Sequence, residues 1–353
     1  MNNINWKEFV IGDTFELSNS TSYHKSDVIE TADENKIPYI TRTSLNNGIE
    51  MHVKKDKSFN INSGNQIVFG AENADFFYQE HPFITGNKMY LLNHAEMNKP
   101  IGLFLVNALQ NAIRGSGFGF SLGMTATRLS NRKVLLPALD NNDPDWDCME
   151  KIGEELYQTK NEYIKNYLLE KIKSLLLEFN HENEVDYLSQ DWAAFNLLDF
   201  FKAKRGNQNN MASLINGDTP LVSARKFENG YKDFVTSTEK PLYEGNIITL
   251  NNDGDGGAGI AYYQPYQMAL DTHVTALYPK LQLNKYHLLF ITRTITHQRS
   301  KFGNNYPINS LRLKALKIML PIKSNREPDW QFMENYMKQI EYEKLTKIIN
   351  YLS

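Results

Sequence analysis

Three groupings in this chain of 353 residues have the residue types of a chemical site. Gly115-Ser-Gly117-Phe-Gly119 has the glycine density of a cofactor loop, Pro144-Asp145 and Pro328-Asp329 begin like the acidic half of a nuclease motif, and Asp253 and Asp255 share a glycine-rich run. Spacing argues against catalysis at each. A phosphate-cradling loop follows a strand and opens a helix, which the segment at Gly115 does not. No Glu-x-Lys triplet follows either Pro-Asp pair, and both aspartates stand where a helix would need an N-cap. Asp253 and Asp255 lack the later Glu of an EF-hand loop, so a tight turn fits that run better. The eight histidines are scattered without metal-ligand spacing, and the single cysteine, Cys148, leaves neither a disulfide nor a cysteine-based zinc site. An Asn/Asp-Pro-Pro-aromatic loop for gripping an adenine amino group is also absent.

What remains is chemistry of contact. Arginine forks onto guanine, Asn and Gln pair with adenine, and Lys or Arg meets phosphate. Two pairs of segments carry that set. Thr41, Arg42, Thr43, Asn46 and Asn47 form one polar strand end, with Ser223, Arg225 and Lys226 as its counterpart. Arg114 and Ser116 lie in a second polar loop, matched by Arg299, Lys301, Asn304 and Asn305. Lys204 and Arg205 suit phosphate rather than base contact. For Arg42 and Arg225 the alternative is a solvated turn or an internal salt bridge. Lys54, Lys55 and Lys57 read as a solvated face, and Phe76-Phe77-Tyr78 and Tyr262-Tyr263 as core flanking strands.

The elements that position these residues occur twice. Trp6-Lys-Glu-Phe9 through Asp13-Thr-Phe15 returns as Trp192-Ala-Ala-Phe195 through Asp199-Phe-Phe201, offset by 186 residues. Pro38, Arg42 and Asn47-Gly48 return as Pro220, Arg225 and Asn229-Gly230, offset by 182 or 183. Gly64-Asn65 matches Gly245-Asn246, and Tyr78-Gln79 matches Tyr263-Gln264. Arg128-Leu129, Leu136-Pro137 and Pro144-Asp145-Trp146 with Met149-Glu150 recur 184 residues later, ending in Pro328-Asp329-Trp330 with Met333-Glu334. Ordered blocks at a nearly constant offset mark a duplication. The copies agree at their ends and diverge in the middle. The run Asn252–Gly259 has no counterpart in the first copy.

Strands are expected near 37–43, 66–69, 88–92 and 133–136, and again near 221–224, 246–250, 273–277 and 316–320, with helices near 99–113 and 284–297. After each Pro-Asp the pattern changes. Trp146, Met149, Ile152, Leu156, Tyr163 and Tyr167 recur at spacings of three, four or their sum, in a run whose one glycine is Gly153, and Met333, Met337, Ile340 and Ile348 fall at spacings of four, three and eight. A helix of about 35 residues would be about 50 Å long and cannot bury its stripe alone. Pairing of the two helices antiparallel, or folding of each onto its own globule, would solve that.

Charge is uneven. The chain carries a net −3, but residues 191–322 hold 15 Lys and Arg against 10 Asp and Glu, and residues 1–140 hold 13 against 14. The acidic excess sits in the helical segments. Attraction to phosphate acts within a Debye length of about 8–10 Å, so local charge counts more than the sum. No apolar run is long enough for a membrane helix and no signal-peptide core opens the sequence, so a cytoplasmic protein is expected.

The opening Trp-x-x-Phe, the Gly-Asn strand, the Tyr-Gln pair and the closing Pro-Asp-Trp-x-x-Met-Glu, each present twice, resemble type I restriction–modification specificity subunits. Among these the chain looks most like the separate specificity subunit of type IIB, BcgI-like systems. The resemblance spans both copies and implies an α+β fold with two tandem target-recognition domains at 1–143 and 187–326. Spacer helices at 144–186 and 327–353 would form an antiparallel coiled coil. It also implies a chain without catalytic residues or cofactor that reads a bipartite asymmetric site in double-stranded DNA. The implied partners are methyltransferase subunits, two in number, that carry S-adenosylmethionine, and a restriction, translocase or fused restriction–modification subunit. The alternative is a non-catalytic interaction adaptor on the same scaffold.

Overall fold

A computed structural model describes residues 4–72, 74–119, 121–179, 186–209, 214–236, 240–254, 257–303 and 306–352. Two compact units divide the chain, residues 1–164 and 165–353.

In the first unit β1 (Trp6–Val10) leads through α1 (Ile11–Thr14) into β2 (Glu16–Asn19), β3 (Lys36–Ile40), β4 (Ile49–Lys54), β5 (Gln66–Gly70), β6 (Phe76–Gln79), β7 (Ile84–Thr85) and β8 (Met89–Asn93). Then follow α2 (Lys99–Ala112), α3 (Ala126–Ser130), β9 (Lys133–Pro137) and the start of α4 (Trp146–Glu178). Three sheets result: a ribbon β1-β9, a four-stranded sheet β2-β8-β5-β6, and a three-stranded sheet β4-β3-β7. The ribbon joins the two ends of the domain, so Trp6 faces Pro137 across antiparallel strands.

The second unit repeats this order: β10 (Trp192–Asn196), α5 (Leu197–Phe200), β11 (Phe201–Arg205), β12 (Asn216–Val222), β13 (Tyr231–Val235), β14 (Ile247–Asn251), β15 (Ala261–Gln264), β16 (Ala269–Leu270) and β17 (Val274–Pro279). It closes with α6 (Lys285–Thr296), α7 (Ser310–Ala315), β18 (Lys317–Pro321) and α8 (Trp330–Leu352). The sheets are again β10-β18, β11-β17-β14-β15 and β13-β12-β16. The duplicated sequence blocks therefore encode a duplicated topology, and all eight expected strands and both mid-domain helices are present within a few residues.

The long helices begin alike. Asp145 and Asp329 accept hydrogen bonds from the amides of Cys148 (2.9 Å) and Phe332 (3.0 Å), the caps expected of them. One turn on, Met149 and Met333 are fully buried, each in the main core of its unit with the four-stranded sheet and α2 or α6. Truncating such a side chain to Ala costs about 2–5 kcal/mol. Trp146 stacks on His94 with centroids 4.0 Å apart, while Trp330 meets His287 edge-on at 5.7 Å. The apolar stripe is thus used first to weld each helix to its own globule. Farther along, Tyr163 and Tyr351 are exposed.

The motif's glutamates have an equivalent task. Glu150 accepts a hydrogen bond from the Asn98 side-chain amide at 2.6 Å, and Asn98 is the N-cap of α2. Glu334 bonds to Asn284, the N-cap of α6. In the second unit the cluster grows: Lys338, 4% exposed, sits 2.7 Å from Glu334 and 3.3 Å from Glu178 near the end of α4.

Candidate nucleic-acid interface

The polar strand ends of both copies are tight loops with one backbone frame. Thr41 N–H bonds to Gly48 C=O, and Ser223 N–H to Gly230 C=O, both at 2.9 Å. Asn47 (φ 54°) and Asn229 (φ 53°) occupy the left-handed region before a glycine at φ 76° or 77°, the conformation that Asn-Gly tolerates best. The frame places Arg42 opposite Ala224, not Arg225. The two arginines that the sequence pairs are therefore one position out of register, and their environments differ accordingly.

In the second unit, Arg225 is half-buried; it donates to the Tyr231 carbonyl at 2.8 Å and lies 2.7 Å from the Glu228 carboxylate. Lys226 is exposed over the Phe227 ring. Ser223 is 5% exposed; its backbone accepts from the Arg225 amide at 2.7 Å. The glycine-rich run packs beneath this loop. Asn251 donates its side-chain amide to the Arg225 carbonyl at 2.9 Å, and a Cβ at Gly257 would lie 2.9 Å from the Ala224 carbonyl oxygen, so only glycine fits there. The third loop joins from the other side: Ile308 N–H bonds to Asn252 C=O at 2.7 Å, and a Cβ at Gly259 would lie 3.0 Å from the Arg299 backbone. Tyr262 ties the loops together. Its hydroxyl donates to the Lys226 carbonyl at 2.7 Å, and burial raises its pKa while Arg299 and Arg225 both pull it back.

Three loops thus converge, and they bring Arg225, Lys226 and Arg299 to one end of the unit. Lys301 is exposed on the same third loop and bonds to Gln298. Asn304 and Asn305 lie outside the described residues. Beside the loops a cleft of about 740 Å³ is lined by Ser223, Arg225, Asp253, Asp271 and His273. Arg205 is aimed at the turn that carries two of these, through a 2.7 Å bond to the Thr272 carbonyl. Lys204 lies over the Tyr243 ring. His273, 2.7 Å from Asp253, is an addition that sequence reasoning missed, because no local pattern links residues twenty apart.

The first unit makes the same convergence with different charge. Arg42 is ion-paired to Glu72, which also holds Lys88 at 2.6 Å. Ser44 bonds to Asp75. Glu72 and Asp75 lie between β5 and β6, the place that the glycine-rich run takes in the second unit. That run accordingly has a counterpart after all, a shorter and acidic connection that residue matching could not find. Met124 N–H bonds to Ala71 C=O at 2.7 Å and draws in the loop of Arg114 and Ser116. Arg114 is exposed, and the Ser116 hydroxyl accepts from the Phe118 amide. Thr43 accepts from the Leu45 amide, and Asn46 donates to the Ile49 carbonyl. Asn47 directs its side-chain amide inward, to the Tyr78 carbonyl at 2.8 Å.

Comparison with known proteins matches this duplication. The type I restriction modification DNA specificity domain is recognised over residues 3–166 and again over 189–351. The specificity subunit S.BcgI of a type II restriction enzyme from Heyndrickxia coagulans is 30% identical over 97% of this chain and 96% of its own length. Among solved structures, a type I restriction–modification S subunit from M. genitalium aligns over 100% of this chain and 94% of its own at 16% identity, with a TM-score of 0.46. The HsdS subunit from Thermoanaerobacter tengcongensis aligns over 98% and 90% at 14% identity, with a TM-score of 0.32. The chain belongs to the type I restriction modification DNA specificity family, and carries that domain in two tandem copies.

Proposed function

We propose that this specificity subunit reads a bipartite, asymmetric DNA target, one half-site per domain, and delivers it to separate catalytic subunits. One observation carries the proposal: both units gather the same three loops at one end, but line them with different residues. An arginine held by its own loop and a glycine-rich floor define one set, and an arginine tied to an acidic connection defines the other. Two readers of unlike chemistry select unlike sequences. Affinity would come from Lys204, Arg205, Arg299, Lys301 and Arg114 on phosphates and fall steeply with salt.

In this proposal the chain does no covalent chemistry. Methyltransferase subunits, two to match the two domains, bring S-adenosylmethionine, and a restriction, translocase or fused restriction–modification subunit cuts, all in the cytoplasm. The helices α4 and α8 act as the spacer between half-sites. Co-expression with the methyltransferase subunit, followed by genome-wide mapping of modified adenines, tests the proposal. The expected result is a motif of two unlike halves around a fixed gap, and insertion of one heptad in both helices should lengthen only the gap. A continuous motif, or none, would overturn it.

A further inference from the structure

The ribbon β10-β18, α6 and α8, with Gln298 and Lys301 of the third loop at one border, enclose a groove of about 1030 Å³. Its floor is aromatic. Trp192 stacks on Phe290 (centroids 6.1 Å apart), Phe290 meets Tyr336 edge-on at 6.0 Å, and Tyr187 lies 4.9 Å from Trp192. Met319, 47% exposed, lines one wall. The rim carries Arg293, His297, Lys301, Lys317 and Lys344, and no carboxylate lines it among the described residues.

The first unit has the same groove at the same place, about 670 Å³, over Trp6, Phe104, Leu135 and Ile152. There the rim is neutral. Lys133, the counterpart of Lys317, is paired with Glu8 at 2.9 Å. The strand registers Glu8↔Leu135 and Ala194↔Met319 show that Ala194 stands where Glu8 does. Asn107 and Asn111 line the positions held by Arg293 and His297 in the second unit. The apolar floor is thus common to both copies, while the rim is basic only in the second.

An exposed apolar groove of this kind marks a surface that meets another molecule, and Trp, Tyr and Arg are the residues that carry energy in protein interfaces. A DNA backbone could satisfy the rim, but it offers no apolar group to fill the floor. We propose that the second groove seats an acidic amphipathic segment of a partner protein, its apolar side chains on Trp192, Phe290 and Tyr336 and its carboxylates on Arg293, Lys317 and Lys344. Naming the methyltransferase subunit as that partner rests on the function proposed above. The peptide test below does not.

The test has two arms on the full chain. In the first, a fluorescent sixteen-residue helix with Leu and Phe on one face and Glu on the other is titrated, beside its Lys-for-Glu twin. The acidic peptide should bind at least tenfold more tightly, and R293E/K317E should abolish the preference. Equal binding of the two peptides, or a preference that survives the double variant, overturns the groove assignment. In the second arm, the same variant should weaken association with the methyltransferase subunit at least tenfold at an unchanged thermal midpoint, whereas K133E should do less. Unchanged association there, with the peptide preference intact, overturns only the identity of the partner. Loss of DNA affinity by R293E/K317E without partner, with peptide binding unaffected, would make the rim a phosphate surface and sink the proposal. A chain that binds the peptide yet directs no methylation to a bipartite motif would instead defeat the proposed function alone.

Discussion

The side-chain amide of Gln264 donates to the backbone carbonyl of Asn229 at 2.9 Å, and Gln79 stands in the same relation to Asn47 at the same distance. Asn229 and Asn47 reciprocate with their own side-chain amides, to the carbonyls of Tyr263 (3.0 Å) and Tyr78 (2.8 Å). Each Asn-Gly loop is therefore clamped to the strand behind it by a two-way exchange. If these loops select bases, as proposed, such a clamp is what holds them still, since adaptable groups select poorly.

Both glutamines are buried, so their loss leaves a carbonyl unpaired away from water. We expect Gln264→Ala to destabilise the protein by about 1–3 kcal/mol, measured by urea denaturation. It should also blur the second half of the modified motif while sparing the first. An unchanged midpoint with an unchanged motif would refute the clamp.

These clamps explain what was legible in the sequence and what was not. Asn-Gly and Tyr-Gln are short local signatures, and they recur because a turn and a strand end fix them. The capping aspartates and the Met-Glu pair one turn later were equally visible, since helix starts are written in neighbouring residues. Contacts set by tertiary packing left no such trace. Arg42 finds Glu72 thirty residues away, and the acidic connection that answers the glycine-rich run shares its place in the sheet but not its residues. Likewise, the stripe of the long helices showed that a face is apolar, but not that its first turns belong to the globules.

Arg225 and Arg299 should behave differently when removed. The Glu228 carboxylate and the Tyr231 carbonyl fix the guanidinium of Arg225, which is the condition for reading a base. Arg299 is exposed and has no carboxylate partner among the described residues, which suits phosphate. Arg225→Ala should therefore relax one position of the second half-site at a cost of about 1–3 kcal/mol. Arg299→Ala should weaken binding to all sequences alike and lower the slope of log K against log salt by about one. Mobility shifts across a salt series, on matched and single-mismatch duplexes, separate the two. The reverse assignment of slopes would be decisive against it.

Stability of the second unit should fall in mild acid because of His287. Its Nδ1 accepts from the Asn284 amide at 3.1 Å and its Nε2–H donates to the Trp330 carbonyl at 3.1 Å, so the neutral ring closes the cap of α6. Burial lowers its pKa from the usual 6.5, against the opposing pull of Glu334. A pKa lowered on folding gives stability that is full above about 6.5 and is lost as pH falls through the folded value. Glu334 adds a second window. Burial raises its pKa, but the bonds to Lys338 and Asn284 outweigh that and leave it below 4.5, so its contribution is lost only in stronger acid. His287→Gln keeps an acceptor for the cap and removes the titration. Thermal midpoints of the wild-type chain should drop between pH 6.5 and 5, and those of the variant should drop less, by what His94, whose pKa burial also lowers, still contributes. Parallel curves would show that another group titrates.

Gly153 poses a question of sign. It interrupts the interior of α4, where exchange of Gly for Ala ordinarily adds about 1 kcal/mol of helix stability. Here α4 crosses the first turn of α2 so closely that a Cβ would lie 2.1 Å from the Pro100 carbonyl oxygen. The obstacle is backbone, fixed by a proline, and cannot swing aside as a side chain would. Separating the helices would also pull Met149 and Ile152 from the core of the first unit. Overpacking of a tight contact costs about 1–3 kcal/mol, which exceeds the propensity gain. Gly153→Ala should thus lower the thermal midpoint, whereas Glu154→Ala, one residue along on an exposed site, should leave it nearly unchanged. A midpoint raised by Gly153→Ala would mean that the helices do not touch as closely as the geometry requires.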